Sequence, residues 1–231
     1  MDFGFILIMI ISAGISLLAQ SYVKKMFTKY SQVGAIGGNT GAQVAAKILQ
    51  TAGIFDVSIR EQQGMLGDHY DPTKKCLVLS SENYHGRSLA AIGVAAHECG
   101  HAIQHQQAYA PLSMRMAAVG VTTFANQALS YLFFFGMFTG FLSTYVGVAA
   151  MAACWGVIML FNLVTLPVEF DASRRAKIVL SQLGFTATPG ENVAVAKVLN
   201  AAALTYVAAF LTSLLYFLYF LLPLLTGRSD D

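Results

Sequence analysis

Apolar positions in this chain come in long unbroken runs, not with the period of a half-buried surface helix. Residues 3–20 (FGFILIMIISAGISLLAQ) carry no charge and nearly match the ~20 residues that a bilayer core demands. Residues 116–168 hold no charged side chain over 53 positions. One helix cannot use that length, so the run predicts two spans, near 117–138 and 144–166, joined by a short turn around residues 136–143. A fourth uncharged run, residues 198–227, has its apolar core at 201–225. The pattern predicts transmembrane helices in residues 1–20, 116–166 (two) and 201–225. Polar segments at 21–115 and 167–200 and a tail at 226–231 make up the rest.

Inside the polar segments the pattern shortens. Residues 34–41 (GAIGGNTG) form a glycine-rich connector that lacks the GxGxxG spacing of a nucleotide loop and follows no strand. Thr40 is a predicted N-cap for the helix AQVAAKILQTAG, which Gly53 ends. Residues 57–60 (VSIR) alternate like a short strand. Residues 68–72 (DHYDP) read as a tight turn, because Pro72 forces extended geometry on Asp71. Residues 76–79 (CLVL) read as another strand. From Ser88 to Gln107 runs the longest helical pattern outside the spans, with Ala90, Ala91, Val94 and Ala95 forming a face suited to close packing. The predicted fold is therefore a mainly α integral membrane protein, four transmembrane helices carrying a mixed α+β domain.

Composition agrees. Of 231 residues, 56% are hydrophobic, 12% aromatic and only 11% charged, against about a quarter charged in soluble domains. That excludes a disordered chain and a basic nucleic-acid-binding domain. The net charge of +2 says less than where the charge lies: thirteen of fourteen Lys and Arg fall in the two polar segments, and only Arg228 falls outside. Lys24, Lys25 and Lys29 follow the first apolar run, and Met1-Asp2-Phe3 precedes it, the reverse of a cleaved signal peptide. The positive-inside rule then puts the N-terminus outside and both polar segments in the cytoplasm. Cys76, Cys99 and Cys154 are odd in number with no CxxC pair, so no structural disulfide is expected.

The long polar helix carries His97-Glu98-Cys99-Gly100-His101, an HExxH. Positions i and i+4 share a helix face about 6 Å apart along the axis, so two imidazoles there can hold one tetrahedral zinc ion. Glu98 is placed to reach a water on the metal, not the metal, and to take its proton. A third ligand is needed. His105 lies about 12 Å from His97 along a straight helix, and no glycine turn of the metzincin type precedes it. It is better placed on the helix surface or behind the ligands. His69 and His85 remain formal alternatives. Glu169, the first charge after the long uncharged run, is the stronger candidate, although such a carboxylate could instead pair with Arg174 or Arg175. Cys99, about 200° from His97 around the helix, is predicted to be core filler, and Gly100 to admit another backbone. Asn126, Gln127 and Asn162 are expected to hydrogen-bond between spans.

The segments GNTGAQVAAKIL, GDHYDPTKKCLVLS, AAHECGHAIQHQ with Tyr109-Ala110-Pro111-Leu112, and LPVEFDASRRA together resemble the YugP-like family of membrane neutral zinc metallopeptidases. The resemblance covers nearly the whole chain. It implies a zincin-like catalytic domain facing the cytoplasm from a bacterial cell membrane, with a protein or peptide as substrate. More distantly the layout is similar to the HtpX and CAAX-prenyl-protease clan, where HExxH is followed by E-x-x-x-D. The clan's Glu implies Glu169 as third ligand. The clan's Asp, which orients a ligand imidazole, falls on Ser173, with Asp171 two residues early on another face of the helix. Ser173, Asp171, His105, Asp68 and Asp71 are thus the candidates for that support.

In the mechanism this implies, Glu98 moves the proton and a donor steadies the oxyanion, with Tyr70, His69, His85 and Arg174 as candidates. Substrate is expected to add as a strand to an exposed edge, taken as residues 76–80. The alternative is a zinc-binding membrane scaffold or chaperone without proteolysis, against which the intact Glu98 argues. A transporter fits less well, since the spans lack ionisable groups.

Overall fold

A computed structural model describes residues 3–64 and 67–227. Met1, Asp2 and the end of the expected tail, residues 228–231 with Arg228, lie outside the described residues. The described chain is mainly helical and divides into two compact units, one of residues 3–19, 114–166 and 205–227, the other of residues 20–113 and 167–204.

Among the described residues, four helices are long and apolar enough, by length and composition, to cross a membrane: α1 (Phe3–Ser31), α5 (Ala110–Thr139), α6 (Tyr145–Gln182) and α7 (Pro189–Thr226). Each outlasts the apolar run that predicts it; α1 continues through Lys24, Lys25 and Lys29 to Ser31. The turn expected between the middle spans is Gly140, in the left-handed region at φ +72°, followed by a 3-10 turn at Phe141–Ser143. Within the first unit, Phe5 packs among Phe133, Tyr216, Tyr219 and Phe220, and Trp155 stacks on Tyr216 at 4.4 Å. Asn162 donates to Ser213 Oγ at 3.0 Å and to the Ala209 carbonyl at 3.2 Å, linking two helices. Asn126 departs from expectation: its amide donates to Thr122 O one turn back on its own helix, while Gln127 is exposed.

In the second unit, α2 (Gly41–Thr51) starts at a full capping box: Gln43 N–H donates to Thr40 Oγ1 and Thr40 N–H to Gln43 Oε1. It buries Val44, Ala45, Ile48 and Leu49. Three strands, β1 (Ser58–Gln62), β2 (His69–Asp71) and β3 (Cys76–Ser80), form a sheet in the order β1-β3-β2, with β1 parallel and β2 antiparallel to β3. Two sequence expectations fail here. Residues 69–71 are a strand, and the turn lies after them, where Asp71 Oδ1 accepts from Thr73 and Lys74 N–H and Lys75 adopts φ +47°. The segment 76–80 is no edge. It is the central strand, apolar on both faces because both are covered.

A short helix, α3 (Ser81–His85), leads to α4 (Leu89–Gln106), whose first turn is capped by Ser88 Oγ accepting from Ala91 N–H. Leu77 and Leu79 from the sheet, Leu89 and Ile92 from α4, Leu180 from α6 and Val195 from α7 share one core with α2. The HExxH helix is thereby clamped on several sides.

Candidate metal centre

His97 and His101 stand one turn apart on α4, their rings 4.8 Å apart and nearly perpendicular. Glu169 reaches them from α6, 72 residues away from His97 in sequence. Its Oε2 lies 3.2 Å from His97 Nε2 and 3.6 Å from His101 Nε2, and one ligand atom from each residue falls within 4.8 Å of the others. With metal–ligand bonds of about 2.0–2.2 Å, a tetrahedral zinc site has donor separations of about 3.4 Å. The His₂Glu set therefore fits zinc in both chemistry and spacing, and leaves a fourth position open. Arg174 and Arg175 both pair with Asp171.

The close approach of α6 has a local cause. A Cβ on Gly100 would lie 2.7 Å from the Ala172 carbonyl oxygen and 3.1 Å from its Cα. Only glycine at this position lets the α6 backbone lie against the face of α4 that carries the imidazoles. Cys99 points the other way, fully buried with its Sγ 3.7 Å from the Ala45 carbonyl of α2, and burial pushes its thiol well above the ordinary range.

Behind the imidazoles, Ser173 Oγ lies 3.2 Å from His97 Nδ1. His101 Nδ1 meets Gln104 Oε1 at 3.0 Å. Gln104 is a residue that sequence reasoning passed over, although its spacing gave a signal: at seven residues past His97 it lies about 20° from it around the helix. Asp171 faces Gln104 and the two arginines, so its angular offset from Glu169 does not take it out of the assembly. Asp68 and Asp71 do not reach the imidazoles; Asp68 accepts from Ser80 N–H, Ser80 Oγ and Asn83 Nδ2, while Asp71 holds its own turn.

Burial works against a charge on His101, but its hydrogen bond to Glu169 and the Glu98 and Glu169 charges outweigh this, so its pKa stands above the ordinary histidine value. Glu98, next to His97 on α4, is buried. One turn past His101, the Tyr70 hydroxyl and His105 Nδ1 share a hydrogen bond of 2.9 Å, joining β2 to α4. Burial first, then the Asp56 and Asp71 charges, push the Tyr70 phenol up to about 12, which keeps it a donor at neutral pH. His69 is exposed against the Gly67 carbonyl, and His85 pairs with Glu61 of β1. Neither joins the metal cluster. Arg174 is turned to Asp171 and largely exposed.

A curated relative, described as "Putative membrane protease YugP" from Bacillus subtilis (strain 168), is 45% identical over 228 residues, 98% of this chain and 99% of that one. Among solved structures, none matches the chain. The family described as "Putative neutral zinc metallopeptidase" matches residues 5–225, which takes in both helices that supply the cluster. With the relative's near-complete coverage, that match makes this chain a member of the neutral zinc metallopeptidase family.

Proposed function

We propose that the chain is an integral membrane zinc endopeptidase that hydrolyses peptide bonds of membrane-associated or unfolded proteins at the cytoplasmic face. The observation that carries this reading is the convergence of His97, His101 and Glu169, with Glu98 buried beside His97 on the same helix. His97, His101 and Glu169 would hold the zinc, which when bound supplies Lewis acidity and draws the pKa of a water in the open position towards about 7. Glu98 would accept a proton from the attacking water as the water oxygen adds to the peptide carbonyl carbon. The same carboxyl returns the proton to the departing nitrogen as the C–N bond breaks.

Tyr70 and His105 form the second polar element of the site. The raised phenol pKa leaves Tyr70 protonated, able to donate to the oxyanion that develops on the carbonyl. With β3 central, the edge for an added substrate strand moves to β2, which packs against α4 and pairs only with β3 among the described residues. The distribution of Lys and Arg supports a cytoplasmic site.

The test is zinc content and casein cleavage by the detergent-solubilised full chain, wild type beside Glu98→Gln. Zinc in both with cleavage by wild type alone is the expected result. Zinc in both and cleavage by neither favours the scaffold reading, and no zinc in folded wild type overturns the site.

A further inference from the structure

Gln104 is wholly buried between α4 and α6. Its Nε2 donates to the Val168 carbonyl at 2.8 Å and to Asp171 Oδ2 at 3.0 Å, which engages both N–H groups of the amide. Turning the amide over would set its oxygen against a carbonyl and a carboxylate, so these two acceptors fix its orientation. The Oε1 that faces His101 Nδ1 at 3.0 Å therefore has no proton to give. A neutral His101 that meets this acceptor carries its proton on Nδ1 and leaves Nε2, the nitrogen on the Glu169 side, to bind metal. Asp171 is held in turn. Arg174 Nη2 and Arg175 Nε donate to its two oxygens, and Arg175 Nη1 donates to Gln107 Oε1 at 2.6 Å while its guanidinium lies 5.8 Å from the Tyr109 ring centre.

His97 has no such lock, since the Ser173 hydroxyl beside its Nδ1 can either donate or accept. The asymmetry singles out His101 as the imidazole whose Nδ1 the fold supplies with a fixed acceptor. We propose that Gln104 is a positioning residue that transmits the orientation fixed by Asp171 and Val168 to His101, holding the imidazole as the Nδ1–H form with Nε2 aimed at the metal. The inference rests on His101 being a zinc ligand, as proposed above.

Gln104 also ties α4 to α6, so loss of stability alone would not distinguish the two roles. Gln104→Met and the double variant Gln104→Glu/Asp171→Asn both break the tie to Val168, but only the double variant keeps an acceptor for His101, with an amide donor at position 171 to meet the new carboxylate. Zinc affinity is measured on the folded, detergent-solubilised full chain by competition with a chromogenic chelator. Gln104→Met is expected to bind zinc about 10- to 100-fold more weakly, as loss of support behind a ligand usually does, with Gln104→Glu/Asp171→Asn recovering most of the loss. Equal affinity in wild type and Gln104→Met, or equal weakening in Gln104→Met and in Gln104→Glu/Asp171→Asn, overturns the proposal. Should Gln104→Met not fold, Gln104→Asn withdraws the acceptor while staying polar, and unchanged zinc affinity there overturns it equally. Wild type without zinc would instead overturn the reading on which the inference rests.

Discussion

Gly100→Ala tests the helix contact on which the site depends. The added methyl carbon would sit 2.7 Å from the Ala172 carbonyl oxygen, whereas ordinary contact begins at 3.4 Å. The obstacle is backbone on both sides, so α4 and α6 must part by about 0.7 Å along that line, the difference between those two distances. Glu169, three residues before Ala172 on the same helix, moves with it. Its present 3.2 and 3.6 Å separations from the imidazole nitrogens then widen towards 4 Å, beyond the spacing of about 3.4 Å that zinc requires. Overpacking of this kind costs about 1–3 kcal/mol, while alanine regains up to about 1 kcal/mol of helix propensity. The net loss of stability is modest. Zinc affinity should fall by roughly tenfold or more, because the movement acts directly on a ligand distance. Thermal melts and zinc competition on the detergent-solubilised chain read both effects, with Cys99→Ala as the neighbouring control that faces α2 and should leave zinc binding unchanged. Zinc affinity and cleavage within twofold of wild type in Gly100→Ala would refute the reasoning.

Tyr70→Phe removes the hydroxyl that meets His105 and is expected to lower turnover about 100-fold with zinc content intact; preserved turnover would remove Tyr70 from the chemistry. Zinc binds neutral imidazole, and the His101 pKa is raised in the metal-free chain, where the Glu169 hydrogen bond and the carboxylate charges overcome burial. Protons therefore compete below that raised pKa: apparent zinc affinity should fall by about tenfold per pH unit for each proton displaced and level off above it. A flat profile between pH 5.5 and 8.5, both values being about the limits of convenient buffers around histidine titration, would contradict it. Asp68→Ala strands the buried Ser80 N–H and Asn83 amide and should destabilise the folded chain by about 2–3 kcal/mol in denaturant titration.

What the sequence discloses and what it hides have separate physical origins. The spans are legible because a charge-free run such as residues 116–168 has few other uses. Thr40 is legible as a cap because capping is local. The sheet is less so. His69-Tyr70-Asp71 beside Pro72 carries turn chemistry, and only its pairing with Cys76, Leu77 and Val78 makes it a strand. Gln104 looks like any polar residue on an exposed helix until the Val168 backbone, 64 residues on, covers it. Asp171 points away from Glu169 by helix arithmetic, yet a side chain from α4 reaches it.

Two donors on one helix and a third on another make the metal site a measurement of the distance between those helices. Gly100 against Ala172 sets how near they come, Gln104 bridges them through Val168 and Asp171, and Ser173 meets His97 from the same side. Packing and ligand geometry are therefore one structural variable in this unit. Any ion that binds the folded His97, His101 and Glu169 set more tightly than the unfolded chain must stabilise the contact between α4 and α6 by mass action, by about 2.7 kcal/mol when free ligand stands at 100 times its Kd. Conversely, substitutions that loosen that contact must weaken the metal, even where they touch none of its ligands.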